Sequence, residues 1–142
     1  MNLVVYPTDN YDSWISLMDA NSYMLKRLHT TAWIGSLDDQ LVAALQQAFR
    51  TMEELNIVID DLTTGTTDQA AALLVTLKRG QAEQALYELE NSEAAREVSA
   101  LGLDGLIDVK FSKGSGKVSR YSDRAVAILR DYLKGNVTNR FR

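Results

Sequence analysis

The chain has 142 residues, of which 46% are hydrophobic and 24% are charged, a composition typical of a soluble globular protein and not of a disordered or collagen-like chain. The length predicts one domain that buries roughly 68% of the surface of its unfolded chain. No cysteine is present, which excludes disulfides and thiolate metal sites. The single histidine, His29, excludes a His-rich metal site within one chain.

Charge is unevenly distributed along the sequence. Residues 1–108 carry 6 Lys+Arg and 17 Asp+Glu, a net charge of −11, whereas residues 109–142 carry 9 Lys+Arg and 2 Asp, a net charge of +7. One interpretation is ordinary solvation with no specific role. The other interpretation is that the basic end docks on an acidic partner: nucleic acid, an acidic protein or the acidic body of a neighbouring copy.

The first helix is predicted from a capping signal and an apolar stripe. Ser16, followed by Asp19, predicts a helix start. The helix is expected to run for about 12 residues, from Leu17 to near His29. The stripe that faces the core is expected to contain Leu17, Ala20, Asn21, Met24 and Leu28.

The second helix has the clearest periodicity. Ser36 is predicted to cap it, and Asp38 and Asp39 suit the positive end of a helix. Apolar residues then recur every three or four positions, which predicts a packed helix. These residues are Leu41, Val42, Leu45, Ala48, Phe49, Met52 and Leu55.

The longest helical pattern spans residues 69–90 and follows an oxygen-rich turn at residues 63–68 that suits helix capping. The apolar face is predicted to contain Leu74, Leu77, Ala82, Ala85, Leu86 and Leu89, and the polar face Lys78, Glu83, Glu88 and Glu90. Gly80 costs on the order of 1 kcal/mol relative to Ala in a helix, so it marks either a kink or a close helix contact. A separate short helical piece is predicted at residues 93–101.

The pattern changes near the C-terminus. Apolar and polar residues alternate at residues 107–112 and are followed by a Gly-rich turn at 113–116, which predicts a β-hairpin over 106–121. Ser122 is predicted to cap a last helix that runs to Lys134. Residues 135–142 are predicted to form an exposed arm. The fold class is therefore mainly α: a bundle of about four helices in a domain of residues 1–134, with one hairpin inserted.

The sequence contains no phosphate-loop, dinucleotide-binding, nucleophile-elbow or zinc-protease motif. The nearest imitation of a phosphate loop is KGSGK at residues 113–117, but it lies between two predicted strands and is expected to be a hairpin turn. Neighbouring carboxylates at 38–39 and 60–61 are explained by a helix start and a solvated turn. The aromatic residues Trp14, Tyr23 and Trp33 are expected in the core. The residues thus predict no enzyme, no catalytic residue, no metal and no cofactor.

No apolar run reaches the roughly 18 residues that a membrane span needs, and the first ten residues do not resemble a signal peptide. The sequence therefore predicts an intracellular product without membrane association.

The order of features resembles that of a family of small tailed-phage proteins. The first matching segment is DSWISLMDANSYM at residues 12–24, and a Trp before a capped helix follows in AWIGSLDD at 32–39. An Ala-rich helix at 43–55, the helix KRGQAEQALYEL at 78–89 and the final helix AVAILRDYL at 125–133 complete the match. Two departures are Trp14, where the family has Tyr, and the lack of a Trp-Pro-Arg segment near residues 60–70.

Members of this family are often labelled DnaT-like single-stranded DNA-binding proteins, and they are similar to head-to-tail adaptor (head completion) proteins. The resemblance implies a structural virion protein made in the host cytoplasm and located at the head–tail neck. It further implies a ring of copies, commonly twelve, between the portal protein and the tail, stopper or tail-terminator protein. Double-stranded DNA would pass through the channel without specific binding, because an acidic body adds no phosphate contacts.

The basic elements are the expected contacts with neighbouring proteins. The residues predicted to dock on the portal or another partner are Lys134, Arg140, Phe141 and Arg142. The hairpin residues predicted to make contacts are Lys110, Lys113, Lys117 and Arg120. The alternative function is a single-stranded DNA-binding accessory protein of replication, which should concentrate positive charge and aromatic residues in one groove.

Overall fold

A computed structural model describes the backbone of residues 2–101 and 120–133, and the side chains of residues 2–91 and 120–133. The fold is mainly helical there, as predicted. The helices are α1 (Leu17–Leu25), α2 (Thr31–Ile34), α3 (Asp38–Glu53), α4 (Asp61–Thr64), α5 (Thr67–Leu101) and α6 (Asp123–Leu129), and a 3₁₀ turn at Arg130–Tyr132 follows. The predicted hairpin at 106–121 lies outside the described residues except for Arg120 and Tyr121, which form a bend. The arm at 135–142 lies wholly outside them.

Helix α5 is the centre of the described fold. Every residue from 80 to 86 is buried, and a helix that is buried on all sides must be covered by other elements. Helices α1, α2, α3, α4 and α6 all contact it. One apolar cluster joins α1, α2, α3 and α5 through residues that include Met24, Trp33, Leu45 and Leu86. A second cluster joins the N-terminal segment, α3, α5 and α6 through Trp14, Phe49, Met52, Leu73, Leu77 and Leu129.

Two of the predicted serine caps are confirmed and one is wrong. The Ser16 hydroxyl accepts a hydrogen bond from the Asp19 backbone N–H at 3.1 Å, and the Ser122 hydroxyl caps α6 in the same way. Helix α3 begins one residue later than Ser36 predicts. The Leu37 backbone N–H donates to the Gln40 side chain at 2.8 Å, and the Ser36 hydroxyl donates back into α2. A glutamine in the first turn thus takes the capping role.

Helix α1 is shorter than predicted. It ends at Leu25, and His29 adopts a left-handed backbone conformation with φ of 62°, which no helix continues through. Leu28 was expected on the apolar stripe, but it lies past the helix end and is 78% exposed. Ala20 and Met24 are buried as predicted.

Helix α5 is longer than predicted. It begins after a reciprocal cap in which the Thr66 hydroxyl accepts from the Gln69 N–H and the Gln69 side chain accepts from the Thr66 N–H. It continues to Leu101, so the separate helix expected at 93–101 is part of α5. Gly80 marks a close helix contact, because a Cβ atom there would lie 3.0 Å from Leu129 Cγ on α6.

Candidate docking surface

Three polar side chains in the middle of α5 are buried. Gln81 and Gln84 have no exposed surface, and Glu83 is 3% exposed. The prediction that Glu83 lies on a solvated face is therefore wrong. Because a buried polar group is costly unless it is hydrogen-bonded, the partners of these side chains explain the burial.

Gln81 attaches the N-terminal segment to the bundle. Its Nε2 donates to the Ser13 hydroxyl at 2.8 Å and to the Leu45 carbonyl at 2.9 Å. Its Oε1 accepts from the Trp14 backbone N–H at 2.8 Å. One amide side chain thus joins the segment before α1 to both α3 and α5.

Gln84 holds the segment that leads into α6. Its Nε2 donates to the Arg120 carbonyl at 3.0 Å, and its Oε1 accepts from the Ser122 backbone N–H at 2.8 Å. The chain re-enters the described part of the fold at this point. Gln84 therefore fixes where α6 starts on the surface of α5.

Glu83 attaches α1 to α5. Its Oε2 accepts from the Tyr23 hydroxyl at 2.5 Å and from Arg27 Nε at 2.6 Å, so the buried carboxylate has both a hydrogen-bond donor and an opposite charge. Burial, followed by the bond to Glu83, raises the pKa of Tyr23 to about 12. The bond to Glu83 also raises the pKa of Arg27.

The raised pKa of Tyr23 gives a pH dependence with a definite sign. In the unfolded chain Tyr23 ionises near pH 10, and in the folded chain near pH 12. Its contribution to stability is therefore complete below pH 10 and is lost as the pH rises toward 12. We expect Glu83→Gln to lower the pKa of Tyr23 without restoring the ordinary value, because burial is the larger cause. The near-ultraviolet absorbance titration of each protein, minus that of its Tyr23→Phe variant, measures this pKa; an unchanged value would contradict the role of Glu83.

A cleft of about 270 Å³ lies between α1 and α5 beside this buried cluster. Its lining consists of Ile15, Asp19, Ser22, Tyr23, Lys26, Val75, Lys78 and Arg79. Lys26, Lys78 and Arg79 are three of the six Lys and Arg in residues 1–108. A fourth of these six, Arg27, lies beside the cleft and is paired with Glu83. The single acidic lining residue, Asp19, is 4.0 Å from Lys78 Nζ and makes only a weak, solvent-exposed pair. We call this site the basic cleft.

Several large apolar side chains of α1, α2 and the segments beside them are exposed. Met18, Leu25, Leu28, Ile34 and Leu37 are between 71% and 82% exposed, and together we call them the apolar face. Met18 and Leu25 lie seven residues apart on the outer side of α1, and the other three lie on or beside α2. The Trp33 Nε1 donates to Asn21 Oδ1 at 2.8 Å, which holds α2 against α1 within one helical turn of Met18 and Leu25.

A second, wider groove of about 800 Å³ runs between α2, α3 and the later part of α5. Most of its lining is small or uncharged polar residues. The exceptions are Arg50, Glu88 and Leu89. The two charges are of opposite sign, and Glu88 accepts a hydrogen bond from the Thr51 hydroxyl at 3.1 Å. The groove therefore shows no preference for a ligand of one charge.

Of the residues that the sequence singled out for docking, only Arg120 is described. Its guanidinium lies 3.0 Å from the Glu54 carboxylate on an exposed surface. The other hairpin and arm residues lie outside the described residues. Trp14 and Trp33 are 4% and 3% exposed, which confirms their core placement, and Tyr23 is partly buried. The basic cleft was not predicted, because its lysines are 52 positions apart in the sequence.

Among the side chains of residues 2–91 and 120–133, no three His, Asp or Glu are grouped so that they could hold a metal ion. None of the helices within residues 2–101 and 120–133 is both long and apolar enough to cross a lipid bilayer. Comparisons with known proteins found no matching family model, no matching curated protein and no matching solved structure.

Proposed function

We propose that the protein is a structural adaptor subunit that joins the head of a tailed phage to its tail. The observation that carries the proposal is the apolar face. Isolated exposed leucines are ordinary, but several large apolar side chains grouped on one surface are typical of protein–protein contacts. An adaptor must contact copies of itself and a different protein on each side, and it needs such surfaces.

The distribution of charge supports the same role. Residues 1–108 carry a net charge of −11 and residues 109–142 carry +7. Opposite charges in two parts of one chain can set the orientation in which a subunit meets an oppositely charged neighbour. In this proposal the basic arm docks on the portal protein, and the acidic body adds no attraction for the DNA that passes through. The copies form a ring, of twelve by the resemblance to adaptor proteins.

The test is negative-stain electron microscopy of the purified protein mixed with portal rings of the same phage. We expect extra density stacked on one pole of the portal, with a symmetry that counts the copies. Removal of residues 135–142 should abolish stacking while the helical circular dichroism is retained. The double variant Ile34→Ser, Leu37→Ser should also lose it, because these side chains belong to the apolar face.

A matched control separates docking from general charge effects. The variant Arg50→Gln removes one exposed cation outside the basic segment 109–142 and should stack normally. Bare portal rings beside free full-length protein, at concentrations well above micromolar, would overturn the adaptor role. Stacking by the protein that lacks residues 135–142 would contradict the docking role of the arm but not the adaptor role.

The alternative function, single-stranded DNA binding in replication, has one observation in its favour. The basic cleft brings Lys26, Lys78, Arg79 and the aromatic Tyr23 together on an otherwise acidic body. A nucleic-acid site combines cations with aromatic side chains in this way. Affinity for oligo(dT) that falls steeply with salt would favour this function over the adaptor role.

A further inference from the structure

We propose that the basic cleft is a docking site for an acidic, apolar peptide segment of a partner protein. This inference deepens the adaptor role and rests on it for the existence of such a partner. The cleft itself is defined by Lys26 on one side and Lys78 and Arg79 on the other, about 270 Å³ in volume.

Charge complementarity determines that the occupant of the cleft carries negative charge. Three cations, Lys26, Lys78 and Arg79, line the cleft with one carboxylate, Asp19. Beside the cleft, Arg27 and Glu83 pair at 2.6 Å and add no net charge. The rest of residues 1–108 is strongly acidic, so the excess of positive charge is local. Lys26 and Arg79 are exposed and project from two different helices. An anionic segment placed between them contacts both helices and bridges α1 to α5.

Exposed apolar side chains in and beside the cleft indicate that the occupant also carries apolar side chains. Val75, within the cleft, is 54% exposed, and Met18 and Leu25, on the outer side of α1, are 76% and 82% exposed. These are aliphatic or thioether side chains, which bind apolar side chains by burial. A segment that carries both carboxylates and leucine-like residues matches both the cations and these flanking surfaces.

The aromatic content of the cleft argues against nucleic acid. Base stacking needs free aromatic faces, and among the described residues that line the cleft only Tyr23 is aromatic. Tyr23 is partly buried, packs against the core and donates its hydroxyl to Glu83 at 2.5 Å. Its ring is therefore committed to attaching α1 to α5.

The experiment uses the full-length protein and a labelled synthetic peptide. The peptide is about 14 residues long, with Leu at helical spacing and Glu between. Fluorescence anisotropy gives its affinity for the protein and for two matched double variants. Lys26→Gln, Arg79→Gln should weaken binding about tenfold, whereas Arg50→Gln, Arg124→Gln, with the same change in net charge, should change it less than twofold. Circular dichroism checks that both variants are folded.

Two further measurements test the apolar half of the proposal. Leu25→Ser should weaken peptide binding severalfold, and so should replacement of the peptide's Leu by Ser. The salt dependence should be moderate, because exposed ion pairs are screened but apolar contacts are not. Portal stacking is measured separately on the unaltered protein, so a protein that stacks on portal rings but does not bind the peptide would overturn the cleft and leave the adaptor role standing.

Three results would overturn the proposal. Equal weakening by the two double variants would show that only net charge matters. Tighter binding of oligo(dT) than of the peptide, with dependence on Lys26 and Arg79, would make nucleic acid the occupant. The absence of peptide binding at about 1 mM, the weak end of specific recognition, would show that the cleft does not bind such a segment.

Discussion

Replacement of Gln81 by leucine is expected to lower the free energy of unfolding by about 3 kcal/mol. Leucine is close to glutamine in size, so the change removes hydrogen bonds without opening a large cavity. The Trp14 backbone N–H loses its acceptor at 2.8 Å, and the Leu45 carbonyl and the Ser13 hydroxyl each lose a donor. Gln81 and Ser13 have no exposed surface, so water cannot replace these bonds without a change of structure.

Urea unfolding measures this effect, with an unchanged slope expected because the fold is kept. Gln47→Leu is the matched control. Gln47 is exposed on α3, and within the described residues it bonds to Thr51 and Arg50 of its own helix. Its replacement should therefore alter the free energy of unfolding by no more than about 0.5 kcal/mol. A loss below about 1 kcal/mol in Gln81→Leu would mean that the N-terminal segment is not held by this side chain.

The parts of the fold that were predicted from sequence rest on local signals. Ser16 and Ser122 cap helices through bonds to residues three positions away, and such bonds leave a short, recognisable pattern. The stripe of α3 was correct because its buried residues repeat with the helical period. Both signals depend on residues within one or two turns.

The parts that were missed depend on contacts between distant segments. Gln81 bonds to Trp14 across 67 positions, and Glu83 bonds to Tyr23 across 60. In the sequence these residues look like the solvated face of an amphipathic helix, because nothing nearby reveals that two other elements cover them. The wrong placement of Glu83 follows directly from this.

The candidate site was missed for the same reason. Lys26 directly follows α1 and Lys78 lies in the first half of α5, so only the packing of these helices makes the two residues neighbours. The sum of charge over residues 1–108 hides the cleft, because 17 acidic residues outweigh 6 basic ones. The basic end is visible in the sequence as composition, whereas the local positive charge on an acidic body is visible only in the fold.

The contact between Gly80 and Leu129 gives the second large prediction. A Cβ at Gly80 would lie 3.0 to 3.2 Å from three carbons of the Leu129 side chain, which is fully buried. Gly80→Leu should therefore lower the free energy of unfolding by about 2 kcal/mol through overpacking. Gly80→Ala should be nearly neutral, because the gain of about 1 kcal/mol in helix propensity offsets a small displacement of Leu129.

A double-mutant cycle separates this contact from general effects on α5. Leu129→Ala alone should cost about 3 kcal/mol, because it leaves a cavity between α5 and α6. Gly80→Leu combined with Leu129→Ala should cost at least about 1 kcal/mol less than the two single changes added together, because the new side chain fills the space that the other vacates. Ala72→Leu, on an exposed position of the same helix, should stay within about 0.5 kcal/mol of the original protein. Strict additivity at 80 and 129 would refute the close packing of α6 on α5 at this glycine.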